Sequence, residues 1–330
     1  MSERRPSSPR RPSRRRIATL RALWASAHPT ARHIIVAGAV ITLLFVVLAL
    51  AAPLLAPYGE AQFQGIPQLQ APSARHLFGT TNLRYDVFSR VIFGARLAFE
   101  VVAASTVVAM CIGVPLGLVA GFTGGWLDRI LVMVTDAMYA FPSLLLAIVA
   151  AFALRRWVAQ GVPAAALSIS VIYVPQYFRV VRNHTLSVRE EAFVEAARAL
   201  GAGRSTTIAR YVFPNVIQSV PVIFTLNAAD AILTLAALGF LGYGVHVPSA
   251  EWGYDISKAI SDAANGFWWT SLFPGIAILG LTTGLTLLGE GINDLVNPLL
   301  RRRGFRRGAA GRHAATPVLP DVVPAEGAAE

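Results

Sequence analysis

"EEAFVEAARALGAGRSTTIARYVFPN", residues 190–215, is the least apolar long stretch in the second half of this 330-residue chain, and apolar runs flank it on both sides. Phe193, Ala196, Ala197 and Leu200 recur at spacings of three and four, which marks one apolar stripe of a helix. Glu191, Glu195 and Arg198 fall on another face, with Glu195 and Arg198 at the i,i+3 distance of an ion pair. Gly201 directly after Leu200 predicts a C-terminal cap. Ser205 is placed to N-cap a second short helix from Thr206 to about Val212, and Pro214 ends that helix or opens the next apolar run. The expectation is a helix, a glycine break and another helix. Its mix of small alanines, one ring and charges suits a protein groove; the alternative is an amphipathic pair lying on a bilayer.

The surroundings decide the class. Of the residues, 55% are hydrophobic and 14% charged, with a mean hydropathy of +0.54. Soluble domains carry roughly 25% charged residues. About 20 apolar residues cross a bilayer, and runs of that kind lie near 34–56, 97–122, 131–153, 162–182, 216–244 and 270–290. The sequence therefore predicts an all-α, polytopic membrane protein with six transmembrane helices. Gly113, Pro115, Gly117, Pro142, Pro175, Pro221, Gly280 and Gly284 lie inside these runs, where a helix bundle tolerates them and small residues let backbones approach. The expected organisation is a disordered basic tail (1–33), a retained first span (34–56), an extracytoplasmic loop (57–96), a core with five spans (97–300) containing the 190–213 insert, and a second tail (301–330).

Charge sets an expected orientation. With both termini cytoplasmic, 22 of the 29 Lys and Arg residues lie on the inner side and 7 on the outer. The insert is then cytoplasmic, and the chain belongs in the plasma (inner) membrane with anionic lipid beside its basic flanks. The formal charge of +11 comes with no stacking platform or recognition helix, so nucleic acid is not an expected partner. The single cysteine, Cys111, excludes an internal disulfide and is expected to be buried; the six histidines include no i,i+4 pair for a metal. No GxxxxGK[ST] loop, nucleophile elbow or paired-carboxylate site occurs, so the chain is not expected to be an enzyme or to hold a cofactor. Glu100, Asp136 and Glu290 lie near the ends of apolar runs, where snorkelling or local pairing accommodates them. Asp230 lies deepest, and is expected to face the bundle interior and line or gate a pathway. Arg179 and Arg182 close the fourth run, either anchoring the insert or orienting the span.

Glu195-Ala196-Ala197, three residues, Gly201, nine residues, then Tyr211-x-Phe213-Pro214 resembles the EAA motif of ABC-importer permeases, whose usual ending is Ile-x-Leu-Pro. The resemblance extends over most of 34–301 and to the dipeptide/oligopeptide/nickel permeases. It is carried by "APLLAPYGE" (52–60), "HLFGTTNLRYDVFSRVIFGAR" (76–96, against HPLGTDxxGRDxxSRxxxGAR), "GFTGGWLDR" (121–129), "DAMYAFPSLLLAI" (136–148), "GFLGYG" (239–244), "EWG" (251–253) and "LLGEGINDLVNPLLR" (287–301). Thr81, Arg84 and Tyr85 stand where the family usually has Asp, Gly and Arg; Leu235 replaces a frequent Glu, and Asp230 is unusual there. The resemblance implies that Glu191, Phe193, Glu195, Ala196, Ala197, Leu200, Gly201 and Pro214 couple the chain to an ATPase. It also implies a second related permease, two ATPase subunits that bind the ATP, and an extracytoplasmic substrate-binding protein. Peptides are the leading solute, with nickel or another small solute as the alternative. A secondary transporter would lack a use for the insert, and no clear inverted repeat is present.

Overall fold

In hydrocarbon every backbone N–H and C=O must be satisfied within its own segment, so apolar runs of this length become helices. The computed structural model describes residues 29–63 and 65–296 and bears this out: among them there is no strand, only an isolated antiparallel bridge between Thr80 and Asp86. The helices are α1 (Pro29–Leu50), α2 (Ala52–Leu55), α3 (Val87–Thr123), α4 (Gly125–Tyr139), α5 (Ser143–Leu154), α6 (Val162–Arg189), α7 (Ala192–Ala199), α8 (Arg204–Thr207), α9 (Phe213–Val216), α10 (Val220–Phe240), α11 (Trp252–Ala264) and α12 (Trp269–Val296). A π-turn, Ile208–Val212, and a 3₁₀ turn, Ile217–Ser219, join α8, α9 and α10 into one helical run from Arg204 to Phe240.

Among the described residues five helices are long and apolar enough to cross a membrane, and a sixth crossing results if α4 and α5 count as one. The chain is a multi-pass membrane protein. Several expected spans differ in their bounds, two of them for a local reason. The third is broken by a 102° bend between α4 and α5, where Pro142 lacks an N–H to donate. The second begins ten residues earlier than expected, at Val87, because Asp86 caps it by accepting from the Ser89 N–H at 2.8 Å. Most of both expected tails, 1–33 and 301–330, lies outside the described residues, as does the end of the 287–301 motif.

His33–Gly291 form one unit, and the packing described here is within it; described residues 29–32 and 292–296 are the outer turns of α1 and α12. Helices α3 and α6 pack closely along several turns. Gly113, Gly117 and Gly121 follow at i, i+4 and i+8 on α3, and a Cβ at each would stand 2.7 Å from the backbone oxygen of Val174, Phe178 and Arg182 respectively. Only glycine allows this depth of packing, the small-residue logic of membrane helices. α1 meets α12 likewise: a Cβ on Gly38 would lie 2.9 Å from the Gly284 carbonyl oxygen. Val107, Ile112, Leu116 and Val119 form the outward stripe of α3, and Cys111 lies there too. It is exposed rather than buried, because an apolar run does not reveal which of its faces is covered.

The loop between α2 and α3 folds against the far end of the unit. His76 Nδ1 lies 2.8 Å from Asp86, which also accepts from the Ser89 hydroxyl at 2.8 Å, and Tyr58 stacks on the His76 ring. Buried Arg90 reaches across to Asp255 of α11, with its Nε and Nη2 both within 3.0 Å of the carboxylate, and donates to the Ser249 carbonyl at 2.9 Å. Trp252 donates to the Val91 carbonyl at 3.1 Å and lies where a Cβ on Gly94 would clash. The 76–96 and 251–253 motifs therefore form one clasp tying the loop to α11.

Candidate functional site

The insert begins with eight helical residues, too few to be stable alone. One side is held by the bundle: Val194 and Ala197, at i and i+3, are buried, and Val194 belongs to the main apolar core. The opposite side faces out. Phe193 is 43% exposed and Leu200 89%, and Glu191, Glu195 and Ala196 are exposed as well. The expected four-residue apolar stripe is thus split. Ala197 joins Val194, a residue not singled out from the sequence, while Phe193, Ala196 and Leu200 remain as an unburied apolar surface.

Gly201 is where the sequence placed the break. Its φ is +87°, the left-handed region that glycine enters without penalty. Its N–H donates to Arg198 O at 2.9 Å and that of Ala202 to Ala197 O at 3.0 Å, the paired bonds of a Schellman cap. Other details of the insert are corrected. No ion pair between Glu195 and Arg198 forms among the described residues; the Arg198 guanidinium lies 4.9 Å over the Phe122 ring. Gly203, not Ser205, occupies the N-cap of α8, because the chain leaves the Schellman turn extended and re-enters helix at Arg204. Pro214 does not stop the helical run but sits in the first turn of α9, where a missing N–H is tolerated, so the expectation that it opens the next stretch holds in part. The π-turn precedes it, and Asn215 Nδ2 donates to the Tyr211 carbonyl at 2.6 Å. The second half of the insert is consequently continuous with the fifth span. An open cleft of about 270 Å³ beside it is lined by Phe122, Thr123, Arg198, Ala202, Arg204 and Thr207.

Arg179 and Arg182 do not anchor the insert. Arg182 makes a bidentate pair with Asp128, and Arg179 pairs with Asp136 at 2.5 Å while its guanidinium sits 3.8 Å over the Tyr139 ring. Both tie α6 to α4. Arg189, one turn before α7, donates to the Gly121 carbonyl at 3.1 Å and so links the root of the insert to the end of α3. Glu100 pairs with Arg96 at 3.0 Å, the local solution expected for it, and Glu290 makes no ion pair among the described residues.

Asp230 stands halfway along α10 and is not enclosed by this chain. It lies on an exposed stripe with Leu226 and Leu233, and one carboxylate oxygen accepts from the Tyr173 hydroxyl at 2.9 Å. A carboxylate facing lipid at mid-span costs about 3 kcal/mol or more. Tyr173 and Tyr177 of α6 face Asn227, Asp230 and Thr234 of α10, making a polar seam between two apolar helices. Sequence reading missed the seam, although its i,i+4 tyrosines and i,i+3,i+7 polar residues were available as a signal.

The clasp at the other end holds buried acids. Glu251 caps α11, accepting from the N–H groups of Gly253 at 2.9 Å and Tyr254 at 2.6 Å, and burial pushes its carboxyl up to about 8 against those bonds. Burial also pushes Asp255 above the ordinary carboxylate range, opposed by Arg90. Thr81 accepts from the Tyr85 N–H at 3.0 Å, and the Tyr85 ring lies under the Arg90 guanidinium at 4.6 Å. Arg84 has a φ of +65°, which gives a backbone reason for the glycine usual at that position in the resembling family. Leu235 is buried in the core, so it does not reach the exposed stripe of Asp230.

The distinctive features of this arrangement are a docked helix with one outward apolar face and a polar seam between spans. The family model for the binding-protein-dependent transport system inner membrane component matches residues 113–302, more than half of the chain and inclusive of the insert. The chain belongs to that family. Among similar permeases are the dipeptide transport system permease DppC of Alkalihalophilus pseudofirmus, 37% identical over 81% of this chain and 86% of its own length. The glutathione transport system permease GsiD of Pectobacterium atrosepticum is 33% identical over 82% of this chain and 88% of its own length. The GsiD of Escherichia coli O157:H7 is 32% identical over the same shares. This permease is therefore a transporter subunit of the peptide-importer group, as the EAA-like motif together with the 76–96, 239–244 and 287–301 motifs implied.

Proposed function

We propose that this permease is half of the membrane pore of an ATP-driven importer of di- or oligopeptides, completed by a second related permease. Two ATPase subunits bind ATP, and a substrate-binding protein delivers the peptide from outside. Both termini and the insert lie on the cytoplasmic side, in keeping with the distribution of Lys and Arg. The observation that carries the reading is the two-faced α7: Val194 and Ala197 lock it to the bundle while Phe193, Ala196 and Leu200 are left outward. An apolar face held rigidly beyond the spans is built to seat in another protein.

Coupling follows from connectivity. Closure of the ATPase dimer presses on α7 and on the Gly201 turn. Because the chain after Gly203 is continuous helix to Phe240, displacement of the insert is displacement of the fifth span. Val194, buried against the core, passes the same push to the bundle. Such a relay shifts the two access states only if the ATPase grips α7 differently in each. Glu191 and Glu195 on the rim of the exposed face supply charge for register, and Asp230 faces the pathway.

The test uses Phe193→Cys or Leu200→Cys in a Cys111→Ser background, with a short thiol crosslinker applied to the assembled transporter. An adduct with an ATPase subunit is expected. Crosslinking only to binding protein, or to nothing, refutes the docking role and the orientation together.

A further inference from the structure

The Asp230 carboxylate has no cationic partner among the described residues, and it is the single charged residue in α10. Its one hydrogen bond among the described residues comes from the Tyr173 phenol, which holds the carboxylate in place without pairing it with a cation. Tyr173 is itself fully buried, so the donor is fixed and aims the carboxylate. The Tyr173 bond occupies one lone pair of Oδ2 and leaves Oδ1 open on the exposed stripe of α10.

From this geometry we infer that Asp230 is a specificity-determining residue of the translocation pathway: it accepts an ammonium or guanidinium group of the passing solute and disfavours solutes with extra negative charge. The inference rests on the importer reading above. A carboxylate oriented by a buried donor attracts a passing cation through the low-dielectric walls of a pore more strongly than it would in water. Tyr173 is a positioning residue. Leu226 and Leu233, flanking Asp230 on the same stripe, are apolar and let the stem of a side chain slide past. The selection is kinetic: it acts on solute already handed over, so it changes the maximal rate rather than the concentration at which the binding protein fills.

The experiment reconstitutes the complete transporter in proteoliposomes, with saturating binding protein preloaded with labelled Lys-Ala or Glu-Ala, and measures the ratio of maximal ATP-dependent uptake rates. Wild type is expected to favour Lys-Ala, Asp230→Asn to shrink that preference about tenfold, and Asp230→Glu to retain most of it. Tyr173→Phe should weaken the preference by less, through a carboxylate that is no longer aimed. An unchanged ratio in Asp230→Asn, whether both rates fall together or neither does, overturns the inference, since a structural role or pairing with another subunit would act on both peptides alike. If Asp230→Asn fails to assemble, Asp230→Ser is read in its place by the same criterion. Absence of any ATP-dependent peptide uptake in wild type overturns the importer reading, and this inference with it.

Discussion

Replacing Gly201 separates backbone geometry from crowding, because a Cβ there meets nothing within 4 Å and the φ is +87°. An L-residue in the left-handed region costs about 1–2 kcal/mol, and a β-branched one up to about 3 kcal/mol. Asparagine enters that region more readily than other side chains. A penalty of 1–2 kcal/mol lowers the equilibrium constant for the capped turn by roughly 5- to 30-fold. The two Schellman bonds, from Gly201 to Arg198 and from Ala202 to Ala197, are what the turn stands to lose. With them goes the fixed angle between α7 and the helical run that begins at Arg204. Val194 and Ala197 still hold α7 to the bundle, so the protein should assemble normally. The assay is peptide uptake per ATP hydrolysed in proteoliposomes, for Gly201→Asn, Gly201→Ala and Gly201→Val. Coupling should fall in that order, with ATP hydrolysis persisting in the valine variant. A valine variant that couples as well as wild type would refute the proposed role of this turn.

Gly117→Ala should destabilise the detergent-solubilised protein by about 1–3 kcal/mol, seen as a lower melting temperature, because its Cβ would stand 2.7 Å from the Phe178 carbonyl oxygen. Asp255→Asn leaves the Arg90 charge buried without its carboxylate and should cost about 3–5 kcal/mol, whereas the double change Arg90→Met with Asp255→Leu recovers most of it; equal melting temperatures for wild type and Asp255→Asn would contradict the clasp. Glu251 predicts a pH dependence. Its folded value of about 8 lies above the ordinary glutamate value of 4.5, so between those limits the folded state holds a proton the unfolded state has released. Stability from this group is complete below about 4.5, declines as pH rises to about 8 and is flat beyond. Glu251→Gln should flatten that part of the stability profile, and a slope identical to wild type would count against it.

The uneven legibility of the molecule has an identifiable cause at each site. Gly201 could be placed from sequence because a helix stop is local chemistry: one residue type, one φ region, two bonds to the preceding turn. Ser205 misled for the same local reason, since the cap position depended on where the chain re-entered helix after the Schellman turn. The split of the α7 stripe was not readable, because Val194 and Phe193 are both apolar and only contact with the bundle decides which is covered. Arg179 and Arg182 were visible as charges at the end of a span, but their partners Asp136 and Asp128 lie 43 and 54 residues away. Arg90 and Asp255 are 165 residues apart.

What the amino-acid sequence determined alone is the part governed by solvent: helices rather than sheet, their approximate number, the charged insert among them, and the motif that marks the permease family. Hydrocarbon leaves a chain of this composition few other ways to satisfy its backbone. Only the tertiary structure decided direction: which side of α7 is free, that the insert continues unbroken into the fifth span, and that Asp230 turns outward toward an open face while held by Tyr173. A uniformly apolar helix has no preferred azimuth of its own, so these directions come from close packing such as the glycine ladder of α3 and from polar pairs far apart along the chain.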